Sequence, residues 1–336
     1  MQETPEIVTE AGDRRNVPQL PIELYQEVIG HIESKSDLCA ISVVSRAVQA
    51  LAESLIYHTV ESRRRCRTQA FCKLVVECPR IGSLVRSLIV ANDERHGSYP
   101  ALPPFWDNMG RALQRMPHLE ILRVHDGFTN PNARILRRCT FSLRELSSDF
   151  ALDGDLIAFL ETQRRITSID WTDTDNAART VDPVRDTPSP GQGALPQLQL
   201  LHTDSLGMAM RLVPGRPVTH LWVSNEANAM YEEFITAISR STGPLLSLRM
   251  GFPFHKGSID REIMNALAAF KDLRTLVLWN MVTPDTLRSL ESACPSLRVV
   301  ACLHYSYAYE YIRMPVNPIG TPQPMHDPDF SLWKDV

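Results

Sequence analysis

Three carboxylates, Asp170, Asp173 and Asp175, crowd into one short stretch and could collect a cation. The glycine and terminal glutamate of a calcium loop are missing, so the cluster reads as solvation of a loop. Cys66, Cys72 and Cys78 recur at intervals of six. That spacing fits neither a zinc knuckle nor a redox pair, and cysteines of this kind usually pack as small apolar side chains. The run Arg63-Arg64-Arg65-Cys66-Arg67 could contact nucleic acid or serve as a nuclear-targeting patch. A formal net charge of −4 gives no matching electrostatic footprint, so the run reads as a solvated junction. A phosphate-cradling glycine loop, a Gly-x-Ser-x-Gly elbow and a His-Glu-x-x-His pair are all missing. The expectation is a protein that is not an enzyme, with no cofactor and no catalytic or metal site.

The elements that would position any site follow from composition and pattern. Apolar residues make up 43% of the 336 and charged ones 22%, which excludes wholesale disorder and collagen-like architecture and allows one or two domains. No apolar run approaches the roughly 18 residues of a membrane span, so neither membrane nor nucleic acid is an expected partner. Seven cysteines, an odd number at irregular spacings, follow no leader-like apolar stretch. They read as reduced thiols, with the cytoplasm, the nucleus or both as the expected compartment. Residues 1–16 are polar and acidic and read as a disordered tail.

From residue 17 the chain turns amphipathic. Pro21 suits a helix start, and Leu24, Val28 and Ile32 recur every four residues with Ile29 widening the stripe. Ser36 fits the N-cap of a second helix carrying Leu38, Ile41 and Val44, and a third runs through Val48, Leu51, Leu55 and Ile56. Three helices in about 40 residues seldom bury their own stripes without a metal, a disulfide or a partner. The order Leu20-Pro21-Ile22-Glu23-Leu24, Ile29, Ile32, Asp37-Leu38, Val44-Ser45-Arg46 and Leu51-Ala52 resembles the F-box, over residues 17–60. It departs where Ala47-Val48 stand in place of a frequent Trp. The resemblance implies that Leu20, Pro21, Leu24, Ile32, Leu38 and Val44 contribute to a Skp-type adaptor interface, some of them closing the three-helix core instead.

Beyond residue 61 a template, apolar-x-x-apolar-x-apolar, recurs from Val85, Leu119, Ile166, Val218, Leu245, Leu273 and Leu297. Leu143 and Leu198 start partial copies with Ser148 and Thr203 in the last position, and successive copies begin 20 to 34 residues apart. Helical returns are legible in Phe234, Ile235 and Ile238, in Ile263, Leu267 and Phe270, and in Leu287 and Leu290. This pattern over residues 61–312 resembles leucine-rich repeats, although the Asn that usually follows each strand is missing. Residues 172–194, rich in Asp, Thr, Pro and Gly, read as a disordered insertion. Alternating Tyr305, Tyr307, Tyr309 and Tyr311 suggest an edge strand, and residues 313–336 form a Pro-rich tail. The expected fold class is α/β: a three-helix F-box, then a leucine-rich-repeat-like solenoid with a parallel β-sheet.

Together the two resemblances imply the substrate-recognition subunit of an SCF-type ubiquitin ligase. The adaptor would link it to a cullin scaffold, and the repeats would capture an unknown target protein. The alternative is a repeat scaffold or small-GTPase regulator not linked to ubiquitin. If template residues point inward, alternation sends those between them onto an open sheet face. His202, His220, Trp222, Arg249 and Trp279 then become the expected target-binding residues, on the argument that exposed Trp and Arg make binding hot spots.

Overall fold

The structure, a computed structural model, describes residues 21–91, 101–127, 130–172, 189–224, 231–250, 267–278, 284–303, 309–313 and 323–325. The expected tail at 1–16, Leu20, Trp279, Asp173, Asp175, Ile263, Tyr305, Tyr307 and most of the Pro-rich tail lie outside them. The chain divides into two compact units, one ending at Ile56 and one beginning at Tyr57.

The first unit holds α1 (Ile22–Gly30), α2 (Lys35–Ile41) and α3 (Arg46–Ile56). Pro21 stands just before α1 in extended backbone, and its carbonyl accepts the Leu24 and Tyr25 amides. The cap of α2 is Ser34, whose Oγ accepts the Asp37 amide at 3.3 Å; Ser36 lies inside the helix. The core of the unit is small: Ile29, Leu38, Val48 and Ala52, with Tyr25, Ile32, Ile41, Leu51 and Ile56 against it. Of the expected stripe, Ile29 and Ile32 turn toward this core, and Tyr25 joins them in place of Leu24 and Val28. Leu24 and Val28 face outward, 49% and 64% exposed.

The second unit is built on one sheet. Ten strands pair in parallel and in chain order: β1 (Thr59–Ser62), β2 (Ser87–Ala91), β3 (Ile121–His125), β4 (Glu145–Ser148), β5 (Ser168–Trp171), β6 (Leu200–Thr203), β7 (His220–Val223), β8 (Ser247–Met250), β9 (Thr275–Leu278) and β10 (Val299–Leu303). β11 (Tyr309–Arg313) and β12 (Gln323–Met325) follow antiparallel. The helical returns are α4 (Arg65–Glu77), α5 (Pro79–Leu84), α6 (Pro103–Leu113), α7 (Gly154–Thr162), α8 (Leu206–Leu212), α9 (Tyr231–Ile238) and α10 (Pro284–Ala293). A single turn of 3₁₀ helix, Ala133–Leu136, serves between β3 and β4.

All nine template copies lie on strands β2 to β10. Their middle residues form one in-register row, Leu88, Leu122, Leu146, Ile169, Leu201, Leu221, Leu248, Leu276 and Val300, each at most 2% exposed. The row joins an apolar cluster with Met109 and Leu113 of α6, Leu160 of α7, and Ala209 and Leu212 of α8. Strand β1 carries no template and was not legible.

One part of the expected insertion is firmly held. The Arg216 side chain, 1% exposed, donates to six backbone carbonyls: Pro190, Gly191, Ala194, Arg211, Leu212 and Pro214, at 3.0 to 3.3 Å. Gly191 also donates its amide to Glu161 at 3.0 Å. Residues 189–194 are thus fixed against the return of β6, while 173–188 lie outside the described residues.

Candidate functional site

In the helical unit, Pro21 and Leu24 are exposed and Val44 is 72% exposed, with Val43 beside it at 85%. Ile32 is half-buried against the core. Leu38 is 4% exposed and closes the core, so it cannot touch a partner directly. Val28 and Val43, neither of them in the expected set, add to the outward aliphatic surface. Their exposure follows from the phase of α1 and from the position of Val43 and Val44 in the turn between α2 and α3.

On the sheet, the residues between template positions do form the opposite face. One row reads Ile89, Arg123, Ser147, Asp170, His202, Trp222, Arg249 and Val277 across β2 to β9. Its middle is a chain of contacts. His125 Nε2 lies 2.8 Å from Ser147 Oγ, which donates to Asp170 Oδ2 at 2.9 Å. Asp170 Oδ1 meets His202 Nδ1 at 2.6 Å, and His202 Nε2 lies 3.3 Å from Ser224 Oγ. The imidazole of His202 stacks on Trp222, centroids 3.8 Å apart and planes at 24°. From the strand beyond, the Arg249 guanidinium lies 3.8 Å from the centroid of the same indole, a cation–π contact.

Asp170 is therefore a strand residue with fixed partners, not a solvated loop carboxylate. Burial alone would raise its pKa. The hydrogen bond and charge of His202, with the Ser147 hydroxyl, outweigh that and hold it below the ordinary carboxylate value.

The expected open face does not extend to the late strands. His220 is 8% and Arg249 5% exposed, so neither has the accessibility expected of a hot spot. Burial lowers the pKa of His220 and favours its neutral form. Ser247 and Thr275, next to His220 in the adjoining row, are also buried, with hydroxyls that find no hydrogen-bond partner among the described residues. Trp222 keeps only a partly exposed ring, because His202 and Arg249 pack on it from the strands to either side. Accessible polar surface lies instead on β3 to β6, where exposed Arg123 pairs with Glu145 at 2.6 Å and Asp170 and His202 are partly open.

A second network sits at the carboxyl ends of β3 and β4. Buried Asp149 accepts the amides of Asp126 and Gly127, and Asn130 donates to it at 3.3 Å. Asp126 in turn binds Arg65 and the Ala101 amide, each at 2.9 Å. Burial raises the Asp149 pKa despite these donors. The network ties loops together and uses one arginine of the basic run. Among the described residues no group of three or more His, Cys, Asp or Glu could hold a metal ion, and no helix is long and apolar enough to cross a membrane.

No family model and no curated protein matches the chain. One similar solved structure is the crystal structure of a TLR13–ssRNA13 complex, at 12% identity and a TM-score of 0.26. The match covers 67% of this chain and 41% of that one, so this chain spans about two fifths of its length. A likeness at that level carries no argument, and the parallel sheet in chain order rests on its own strand register.

Proposed function

We propose that this protein is a substrate-recognition subunit of an SCF-type ubiquitin ligase. The three-helix unit docks on a Skp-type adaptor, which connects it to a cullin scaffold, and the sheet face of a leucine-rich-repeat-like solenoid captures a target protein. The observation that carries this reading is the imbalance of the helical unit. Four buried apolar side chains form its core while Leu24, Val28, Val43 and Val44 stand 49% to 85% exposed. Large aliphatics turned outward on so small a unit are what a partner groove would cover. The strictly sequential parallel sheet supports the solenoid reading of the second unit. Its open stretch from Arg123 to His202, four strands at ~4.8 Å spacing, suits an extended peptide or a protein edge.

The test is binding of the purified chain to a purified Skp-type adaptor, measured by calorimetry. Truncating an apolar anchor in an interface costs roughly 2 kcal/mol. Leu24→Ala combined with Val44→Ala is therefore expected to weaken binding by about two to three orders of magnitude while the helical signal is kept. Equal affinity of the double variant and the parent would remove the adaptor reading.

A further inference from the structure

Parallel register by itself brings Asp170 beside His202, because like positions stack on neighbouring strands. It does not bring Ser224 to the far nitrogen of that imidazole. The in-register neighbour of His202 on β7 is Trp222; Ser224 lies two residues further on, just past the strand. Its Oγ is 3.3 Å from Nε2, while Nδ1 is held by Asp170 at 2.6 Å. Carboxylate, imidazole and hydroxyl thus stand in the order in which a hydroxyl is activated, a constellation recognised by geometry and not by sequence spacing.

We propose that Ser224 is an activated nucleophile, with His202 as its general base and Asp170 as the residue that positions the imidazole, competent to accept an acyl group from an ester with a good leaving group. The Asp170 carboxylate selects the tautomer with the proton on Nδ1, which leaves Nε2 to accept the Ser224 proton. Asp170 is steadied by Ser147, and Ser147 by His125. The imidazole plane is fixed by Trp222, itself packed against Arg249. These restraints matter because a base must keep its geometry to be useful. Ser224, His202 and Asp170 are all partly exposed, and they sit toward the carboxyl ends of parallel strands, where ligands approach α/β sheets.

The step balances without any oxidant or metal. As the Oγ–C bond forms, the hydroxyl proton passes to Nε2; the ester C–O bond breaks, and the leaving alkoxide takes that proton. Water then attacks the acyl-serine, its proton passing through Nε2 back to Oγ as the carboxylic acid departs. Base assistance is worth roughly 10²- to 10⁴-fold, which suits an activated ester rather than a peptide bond. The adaptor reading is independent of this assignment, and either can fail alone.

The experiment uses the full chain and an alkyl fluorophosphonate. With this probe the Oγ–P bond forms, the P–F bond breaks, and the proton leaves with fluoride by way of Nε2. Peptide mass spectrometry is expected to find the adduct on Ser224, forming at least 100-fold faster than on the chain in denaturant. His202→Gln should slow it about 100-fold with the circular dichroism unchanged. Asp170→Asn should also slow it, whereas Asp170→Glu, which keeps the charge, should restore part of the rate; a merely structural role would not separate those two variants. Labelling of Ser224 at the denatured-chain rate, or at an equal rate in His202→Gln, would overturn the proposal.

Discussion

A thiol reacts through its thiolate, and burial withholds that form. In this chain burial pushes Cys72 and Cys139 up to about 12 and Cys294 to about 11. Raised values mean that all three stay neutral at pH 8 and lose their protons only several units higher, as the pH passes 11 to 12. Cys39, Cys66 and Cys78 are exposed. Iodoacetamide at pH 8 is therefore expected to alkylate those three in the native protein and to spare buried Cys72 and Cys294 and half-buried Cys139, which should react fully only in denaturant. Peptide mass spectrometry reads this directly, and modification of Cys72 as fast as Cys66 would mean that α4 does not stay packed on the sheet. Individual residues were read from the sequence with mixed success. Asp170 looked like one of three neighbouring carboxylates because its near neighbours, Asp173 and Asp175, are acidic. Its actual partners, Ser147 and His202, come from the strands on either side, 23 and 32 residues away. Ser224 gave no signal at all, since it reaches His202 from just beyond the end of β7, 22 residues away. Trp222 and Arg249 were placed on the correct face, but their packing on each other was not foreseeable from residue type.

At the scale of elements, periodicity located strands better than it located helix faces. The nine template copies mark nine strands because each sets two or three apolar residues inward at fixed spacing, and a one-residue slip would turn all of them outward. Helix α1 gave a choice of overlapping stripes, and the sequence could not say whether Leu24 or Tyr25 turns inward. Local competition decided the α2 cap too, since Ser34 and Ser36 are equally good capping residues. The last part of the expected insertion, residues 189–194, was illegible for a different reason: its order comes from Arg216, which stands beyond α8. A buried guanidinium satisfied only by carbonyls leaves several acceptors unpaired when removed, at roughly 1–3 kcal/mol for each one left buried. Arg216→Ala is expected to lower unfolding stability by about 3 kcal/mol or more, with residues 189–195 becoming the first site of limited proteolysis. Arg216→Lys should recover little, because three donors on one nitrogen cannot span carbonyls on two segments. Retained stability together with protection of that segment would show that the carbonyls find other donors.

At the scale of the molecule, a sheet paired strictly in chain order makes each strand depend on its two neighbours, so stability is distributed along one dimension. Leu201 tests this. It is fully buried in the middle row between Ile169 and Leu221, and a Leu→Ala change in such a place costs about 2–5 kcal/mol. If the second unit behaved as one two-state domain, that loss would speed amide exchange equally from β1 to β10. A one-dimensional stack concentrates it instead. Exchange in β5, β6, β7 and α8 is expected to accelerate by roughly 30-fold or more, from the lower end of that range at 1.4 kcal/mol per decade. Strands β1 and β2 should change far less, because β3 and β4 stand between them and the cavity. The helical unit, with its separate core of Ile29, Leu38, Val48 and Ala52, should not respond. Hydrogen-exchange mass spectrometry resolves these regions, and uniform acceleration across all ten strands would show a sheet that unfolds as a single body. The same experiment bears on the open face, since Asp170 and His202 lie on the strands that Leu201 supports. A local opening there should release their contact before the ends of the sheet are lost.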